Sequence, residues 1–182
     1  MVNSKNLIAY FSRKGNNYVD GNIVNLPIGN TEILAKIIQE ATGSDIFRIE
    51  STKKYPDDYT ETTEVAKAEL NDDIRPELAD YIDDIDSYDM IFLGYPIWWG
   101  TFPMPVVTLL SKYDLSGKII VPFCTHEGSG LGHSEKDIAK FCPKATVLNG
   151  LAIQGADVNN AKNDVINWLK NIGIINRENP ND

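Results

Sequence analysis

An α/β fold with a doubly wound, five-stranded parallel sheet in the order 2-1-3-4-5 is what this 182-residue chain predicts. Three observations carry the prediction. Short apolar runs without helical period alternate with amphipathic stretches of helical spacing, the βα succession of a parallel sheet covered on both faces. One run, Met90-Ile91-Phe92-Leu93, breaks at Gly94 and Pro96 into a loop holding Trp98 and Trp99. Another ends in a glycine-rich loop, Thr125-His126-Glu127-Gly128-Ser129-Gly130-Leu131-Gly132. Such loops fall at the carboxyl edge of the strands, where open α/β sheets bind ligands.

Leu7 to Phe11 reads as the first buried strand, followed by a donor-rich turn from Ser12 to Asn17. The first helix starts at Asn30-Thr31, because Ile33, Leu34, Ile37, Ile38 and Ala41 fall at helical spacing and Gly43 is placed to end it. The long connection between them is expected to be functional or mobile, with Ile23 to Leu26 able to pair locally as a hairpin. Ile46 to Ile49 is a short second strand, and Asp57-Asp58 cap a helix carrying Glu61, Val65, Ala66 and Leu70. After the third strand at Met90, a helix over Pro105 to Leu110 carries proline in its first turn. The fourth strand is Lys118 to Cys124, and a helix over Ser134 to Phe141 leads to a fifth strand, Ala145 to Leu148, running on toward Ile153. Val158 to Ile172 is the closing helix. The length suits one domain over residues 1–175, and residues 176–182 read as a polar tail that frays.

Composition narrows the function. A formal charge of −9 has the wrong sign for phosphate-backbone or anionic-membrane binding, so neither a nucleic acid nor a membrane is an expected partner. The apolar stretch near the N-terminus is too short for a signal-peptide core, and a cytoplasmic location is expected. Cys124 and Cys142 form no CxxC pair and read as reduced, buried thiols; no metal site is indicated.

In the order 2-1-3-4-5 the switch point lies between strands one and three, so the loops from Ser12 and from Pro96 straddle one crevice with the Gly128 loop alongside. Ser12, Asn30 and Thr31 bring hydroxyl and amide groups to a helix N-terminus, where free N–H groups favour an anion, and a phosphate suits that pocket. Arg13 and Lys14 offer charge to it or to solvent. Pro96, Ile97, Trp98, Trp99 and Gly100 form a stiff aromatic wall for a flat ligand. Gly128, Gly130 and Gly132 let backbone approach that ligand, with Ser129 as a donor. His126 beside Glu127 reads as a loop histidine touching ligand or solvent, with no nucleophile nearby and no hydrolytic triad, so no catalytic residue is assigned.

These residues resemble the flavodoxins and flavodoxin-like FMN proteins from Leu7 to about Ile172. The resemblance rests on Tyr10-Phe11-Ser12, Gly29-Asn30-Thr31, Tyr55-Pro56-Asp57-Asp58-Tyr59, Gly94-Tyr95-Pro96-Ile97-Trp98-Trp99-Gly100 and Glu127-Gly128-Ser129-Gly130. It implies FMN, with Ser12 and Thr31 at the first and last positions of the family's phosphate loop. An insertion over Arg13 to Gly29 departs from that loop's compact pattern. It also implies that Pro96 to Gly100 flank the isoalloxazine and that Thr125 to Gly132 meet its pyrimidine side and ribityl chain. Either Trp98 or Trp99 stacks, with Trp98 the first candidate. The implied function is a low-potential electron carrier, monomeric or weakly dimeric, docking transiently with basic redox partners. The alternative is an NAD(P)H-dependent quinone or FMN oxidoreductase of the same fold. FAD is less expected, because nothing marks an adenine pocket, although the long Arg13 to Gly29 segment could supply one.

Overall fold

The computed structural model describes residues 5–176; the expected tail falls almost wholly outside them. The strands and helices follow in chain order: β1 (Asn6–Tyr10), β2 (Gly15–Val19), β3 (Asn22–Leu26), α1 (Asn30–Thr42), β4 (Asp45–Arg48), α2 (Tyr59–Asn71), β5 (Met90–Pro96), α3 (Met104–Lys112), β6 (Ile119–His126), α4 (Ser134–Phe141), β7 (Thr146–Val147), β8 (Leu151–Gln154) and α5 (Lys162–Asn171). The main sheet runs β4-β1-β5-β6-β7, with β8 also on β6, and its pairs are parallel. With the β2–β3 hairpin set aside, this is the order 2-1-3-4-5.

The pleat sorts side chains onto two faces, because successive residues of a strand point to opposite sides. Leu7, Ala9, Ile91, Leu93, Tyr95 and Ile120 meet Val106, Val107 and Leu110 of α3 and Ile138 of α4. Ile8, Tyr10, Phe92, Val121 and Phe123 meet Leu34 and Ile38 of α1 and Val165 and Leu169 of α5. Gly94 makes room on this second face, where an added Cβ would lie 2.1 Å from the Phe123 ring.

The fifth strand departs from expectation. It is two short segments, β7 and β8, which makes the sheet six-stranded. Leu148 N–H donates to Ile120 O at 2.9 Å. By the two-residue alternation of the ladder, Pro122 turns its backbone to the same side but has no N–H to offer. The break therefore falls opposite Pro122, between the pairs Ile120↔Val147 and Phe123↔Leu151. The gap is held from elsewhere, by Gly150 N–H donating to Glu135 Oε1 at 2.7 Å. The closing helix likewise starts later than its apolar pattern suggests, after a 3₁₀ segment over Gly155–Asn160.

The insertion after Ser12 is the local hairpin. β2 and β3 pair antiparallel, with Tyr18 opposite Ile23. Their two-residue link, Asp20-Gly21, has φ of 48° and 81°, the left-handed pair that a tight hairpin turn requires.

Candidate functional site

The carboxyl ends of β1, β5 and β6 open on one crevice of about 470 Å³, within the range of small-ligand sites. Its first end is built at the start of α1. Gly29 occupies the cap position and has no side chain to offer, so Ser12 Oγ accepts the Glu32 amide at 3.1 Å instead. A Cβ on residue 29 would lie 2.2 Å from that oxygen and 2.7 Å from Arg13 O, which is why glycine stands there. The first intrahelical bond is Ile33 N–H to Gly29 O, so the Asn30 and Thr31 amides have no partner within the helix. Both residues line the crevice, and Thr31 Oγ1 meets Thr125 Oγ1 at 2.8 Å, tying α1 to β6. Glu32, in this first turn, is matched by Arg48 at 2.6 Å and Lys36 at 2.9 Å. Burial pushes its carboxyl up, but the bonds from Lys36 and Arg48 outweigh that and hold it below the usual range.

The other end is the tryptophan loop. Trp98 N–H donates to Thr101 O at 2.8 Å and Thr101 N–H returns to Trp98 O at 3.3 Å, closing a two-residue turn. Trp99 (φ 54°) and Gly100 (φ 85°) both sit in the left-handed region, a conformation bulky residues rarely adopt. The turn makes the two rings diverge. Trp98 packs edge-on against Phe11 (5.3 Å) and Tyr55 (5.2 Å), whereas Trp99 is exposed, donates through Nε1 to Thr63 O at 2.9 Å and lies under Lys67. Both still line the crevice, with Pro96 and Ile97.

The third loop contributes Thr125, His126, Glu127 and Ser129. His126 Nδ1 accepts the Gly128 amide at 2.9 Å, which leaves the ring proton on Nε2. Glu127 Oε2 accepts the Asp20 amide at 2.9 Å, so the hairpin tip is fastened to this loop. Cys124 lies behind, its thiol pushed up to about 12 by burial, and with Cys142 it is a free, buried cysteine.

Of the residues expected from sequence, Ser12, Arg13, Asn30, Thr31, Pro96, Ile97, Trp98, Trp99, Thr125, His126, Glu127 and Ser129 line the crevice; Lys14, Gly100, Gly128, Gly130 and Gly132 do not. Gly132 packs against Gly100 behind the tryptophan turn, where an added Cβ would meet Gly100 O at 2.2 Å. Gly128 (φ 114°) and Gly130 (φ 59°) shape their loop through backbone freedom. Arg13 lines the crevice, but its guanidinium donates to Asn16 O, to Pro56 O at 2.8 Å and to Asp57 O at 2.9 Å, so it is no freely mobile phosphate ligand. Burial lowers its pKa, opposed by Asp57 and Asp58.

Seven lining residues escaped the sequence reading: Asn17, Tyr18, Tyr59, Thr62, Thr63, Ala66 and Gly155. Four of them had a signal. Tyr59, Thr62, Thr63 and Ala66 fall at i, i+3, i+4 and i+7, one face of α2. Tyr18 reaches the site by stacking on Tyr59, with centroids 6.0 Å apart. Among the described residues no group of three or more His, Cys, Asp or Glu side chains is placed to hold a metal ion. No described helix is long and apolar enough to cross a membrane.

A flavodoxin family model matches residues 5–172. The chain belongs to the flavodoxin family. Among solved structures, a protein of Bacteroides eggerthii provisionally described as a flavoprotein is 29% identical with a TM-score of 0.77, over 95% of this chain and 100% of its own. A second such protein, from Bacteroides uniformis, is 27% identical with a TM-score of 0.73, over 92% of this chain and 98% of that one. A flavoprotein of Lactobacillus acidophilus solved in complex with FMN shares the fold at 22% identity and a TM-score of 0.63, over 86% of this chain and 97% of that one. No curated protein sequence matches the chain. Membership accounts for the sheet order and the crevice at its switch point, while the β2–β3 hairpin departs from the compact phosphate loop that the sequence resemblance called for.

Proposed function

We propose that this flavodoxin binds FMN noncovalently in the crevice and works as a low-potential electron carrier. The observation that carries the reading is one cavity lined at one end by the N-terminus of α1, where the Asn30 and Thr31 amides have no partner within the helix, and at the other by the two indoles. The residues fit the group. Asn30 and Thr31 amides and the Ser12 hydroxyl would hold the phosphate, Thr125 to Ser129 would meet the polar edge, and Trp98 or Trp99 would cover the ring. Bound FMN supplies the electron-transfer chemistry; the chain supplies position and field. Asp20, Asp57, Asp58 and Glu127 stand in the segments around this site within a chain of charge −9, and such a field disfavours electron uptake and attracts basic partners. A cytoplasmic setting belongs to the same proposal and suits two free thiols.

Purified protein is expected to be yellow, to release FMN on denaturation, and to quench flavin fluorescence when the apoprotein is titrated with FMN. Absence of both quenching and a visible spectral shift would end the FMN reading. A carrier is reduced readily by a flavoprotein reductase, at rates that fall as salt rises, and turns over NAD(P)H with quinone slowly or not at all. One observation favours the alternative enzyme: the Tyr18–Tyr59 stack puts a second aromatic surface into the crevice, suited to a small planar substrate. Fast, saturable NAD(P)H–quinone turnover by the purified protein alone would replace the carrier with the quinone oxidoreductase.

A further inference from the structure

Beside the crevice lies a second, more open cavity of about 610 Å³, whose walls include Phe11, Tyr55, Lys14 and Lys54. Among the described residues Ser12 and Arg13 alone line both cavities. Ser12 is buried with its oxygen on the Glu32 amide, so the partition is the side chain of Arg13. That side chain is fixed at its far end. Its guanidinium spans from Asn16 O at the hairpin base to Pro56 O and Asp57 O, which lie 43 and 44 residues away in sequence. The near end is fixed too, since Asn17 Nδ2 donates to Arg13 O at 3.0 Å. An arginine held by three carbonyls is a preorganised strut, because little freedom remains to be lost when a ligand arrives.

A mononucleotide stops at its phosphate, at the N-terminus of α1. A dinucleotide continues through a second phosphate to an adenosine, and the space next to that phosphate site is the second cavity. Lys14 and Lys54 there offer cations to a second phosphate beside the carboxylates of Glu50 and Asp57, and Tyr55 offers apolar surface, while Phe11 is buried behind it. Arg13 stands across the passage. We infer that Arg13 is a specificity-determining residue that restricts this flavodoxin to FMN and excludes FAD, an inference that rests on the flavin reading above. The insertion that departs from the family's phosphate loop is thereby what bounds the cofactor, because the hairpin base supplies one of the three carbonyls.

Calorimetric titration of the full chain with FMN, FAD and riboflavin tests this. Wild-type protein is expected to bind FMN at least about a hundredfold more tightly than FAD, about 2.8 kcal/mol at 1.4 kcal/mol per tenfold. In Arg13→Ala the FMN-to-FAD preference narrows at least about tenfold, while riboflavin, which ends before the partition, changes by less than about threefold. Arg13→Met keeps the apolar stem without the guanidinium and gives the same narrowing if the alanine variant does not fold. A ratio unchanged in the folded variant, or wild-type protein that binds FAD as tightly as FMN, overturns the inference and leaves the FMN reading standing. Wild-type protein that binds none of the three flavins removes the cofactor reading itself, and the inference falls with it.

Discussion

Ser12→Ala separates the role of one hydroxyl in the helix from its role toward a ligand. In the folded protein Ser12 Oγ accepts the Glu32 amide at 3.1 Å, serving as the cap that Gly29 lacks. Losing that acceptor costs about 1 kcal/mol of stability, within the usual range for a helix cap. The hydroxyl proton remains available to donate to an anion at the start of α1, and a hydrogen bond to a charged group contributes roughly 1.5–3 kcal/mol. At 1.4 kcal/mol per tenfold, its loss weakens FMN by roughly ten- to a hundredfold. The lower end is expected, because the substitution also frees the Glu32 amide to donate to the phosphate in its place. Riboflavin lacks the phosphate, and its dissociation constant should move by less than about twofold. Both ligands are titrated by fluorescence or calorimetry on the same folded variant, and urea unfolding of the apoprotein reports the cap separately. Equal weakening of FMN and riboflavin would show that the substitution acts through general distortion, and unchanged FMN affinity would remove Ser12 from the phosphate site.

Three further predictions follow from the same geometry. Trp98→Ala, which strips an indole from the Phe11–Tyr55 cluster, is expected to cost roughly 3 kcal/mol in urea unfolding, whereas Trp99→Ala on the exposed side costs less than about 1 kcal/mol. The flavin potential of the two variants identifies the stacking residue, as only that ring acts on the cofactor's electronics. Glu32 has a depressed folded pKa, so its stabilising contribution is full above the unfolded carboxylate value of about 4.3 and is lost as pH falls through the folded value; Glu32→Gln should therefore be less stable than wild type at neutral pH, with the gap closing in acid. Burial holds Cys124 up to about 12 and Cys142 up to about 11, so both thiols should resist alkylation near neutral pH in native protein and react together on unfolding.

Local pattern alone determined a good deal. Apolar runs of four or five residues, separated by helical spacing and turn residues, predicted the parallel sheet, because burial of a strand on both faces leaves a mark in consecutive residues, and the order 2-1-3-4-5 was the one that fits five βα units. The same logic placed Ser12, Thr31, Trp98 and Thr125 at the carboxyl edge, and the fold brings all four to one crevice. The pattern also carried signals that went unread. The face of α2 formed by Tyr59, Thr62, Thr63 and Ala66 is helical spacing applied to polar and small residues, and a search confined to apolar periodicity passes over it.

Other features were decided by contacts between segments far apart in the chain. The split of the fifth strand depends on Pro122 turning its missing N–H toward that strand and not toward β5, which is a matter of register. The divergence of the two indoles depends on the left-handed turn at Trp99-Gly100 and on Phe11, Tyr55 and Thr63 waiting on either side. Arg13 reads in the sequence as a basic loop residue offering charge to the phosphate or to solvent; the carbonyls of Pro56 and Asp57 turn it into a wall. Side-chain periodicity records which face of an element is buried, since burial acts on every residue of that face. It holds no record of which distant carbonyl completes a given donor, because that pairing exists only once the sheet register and the loop paths have set the two in reach.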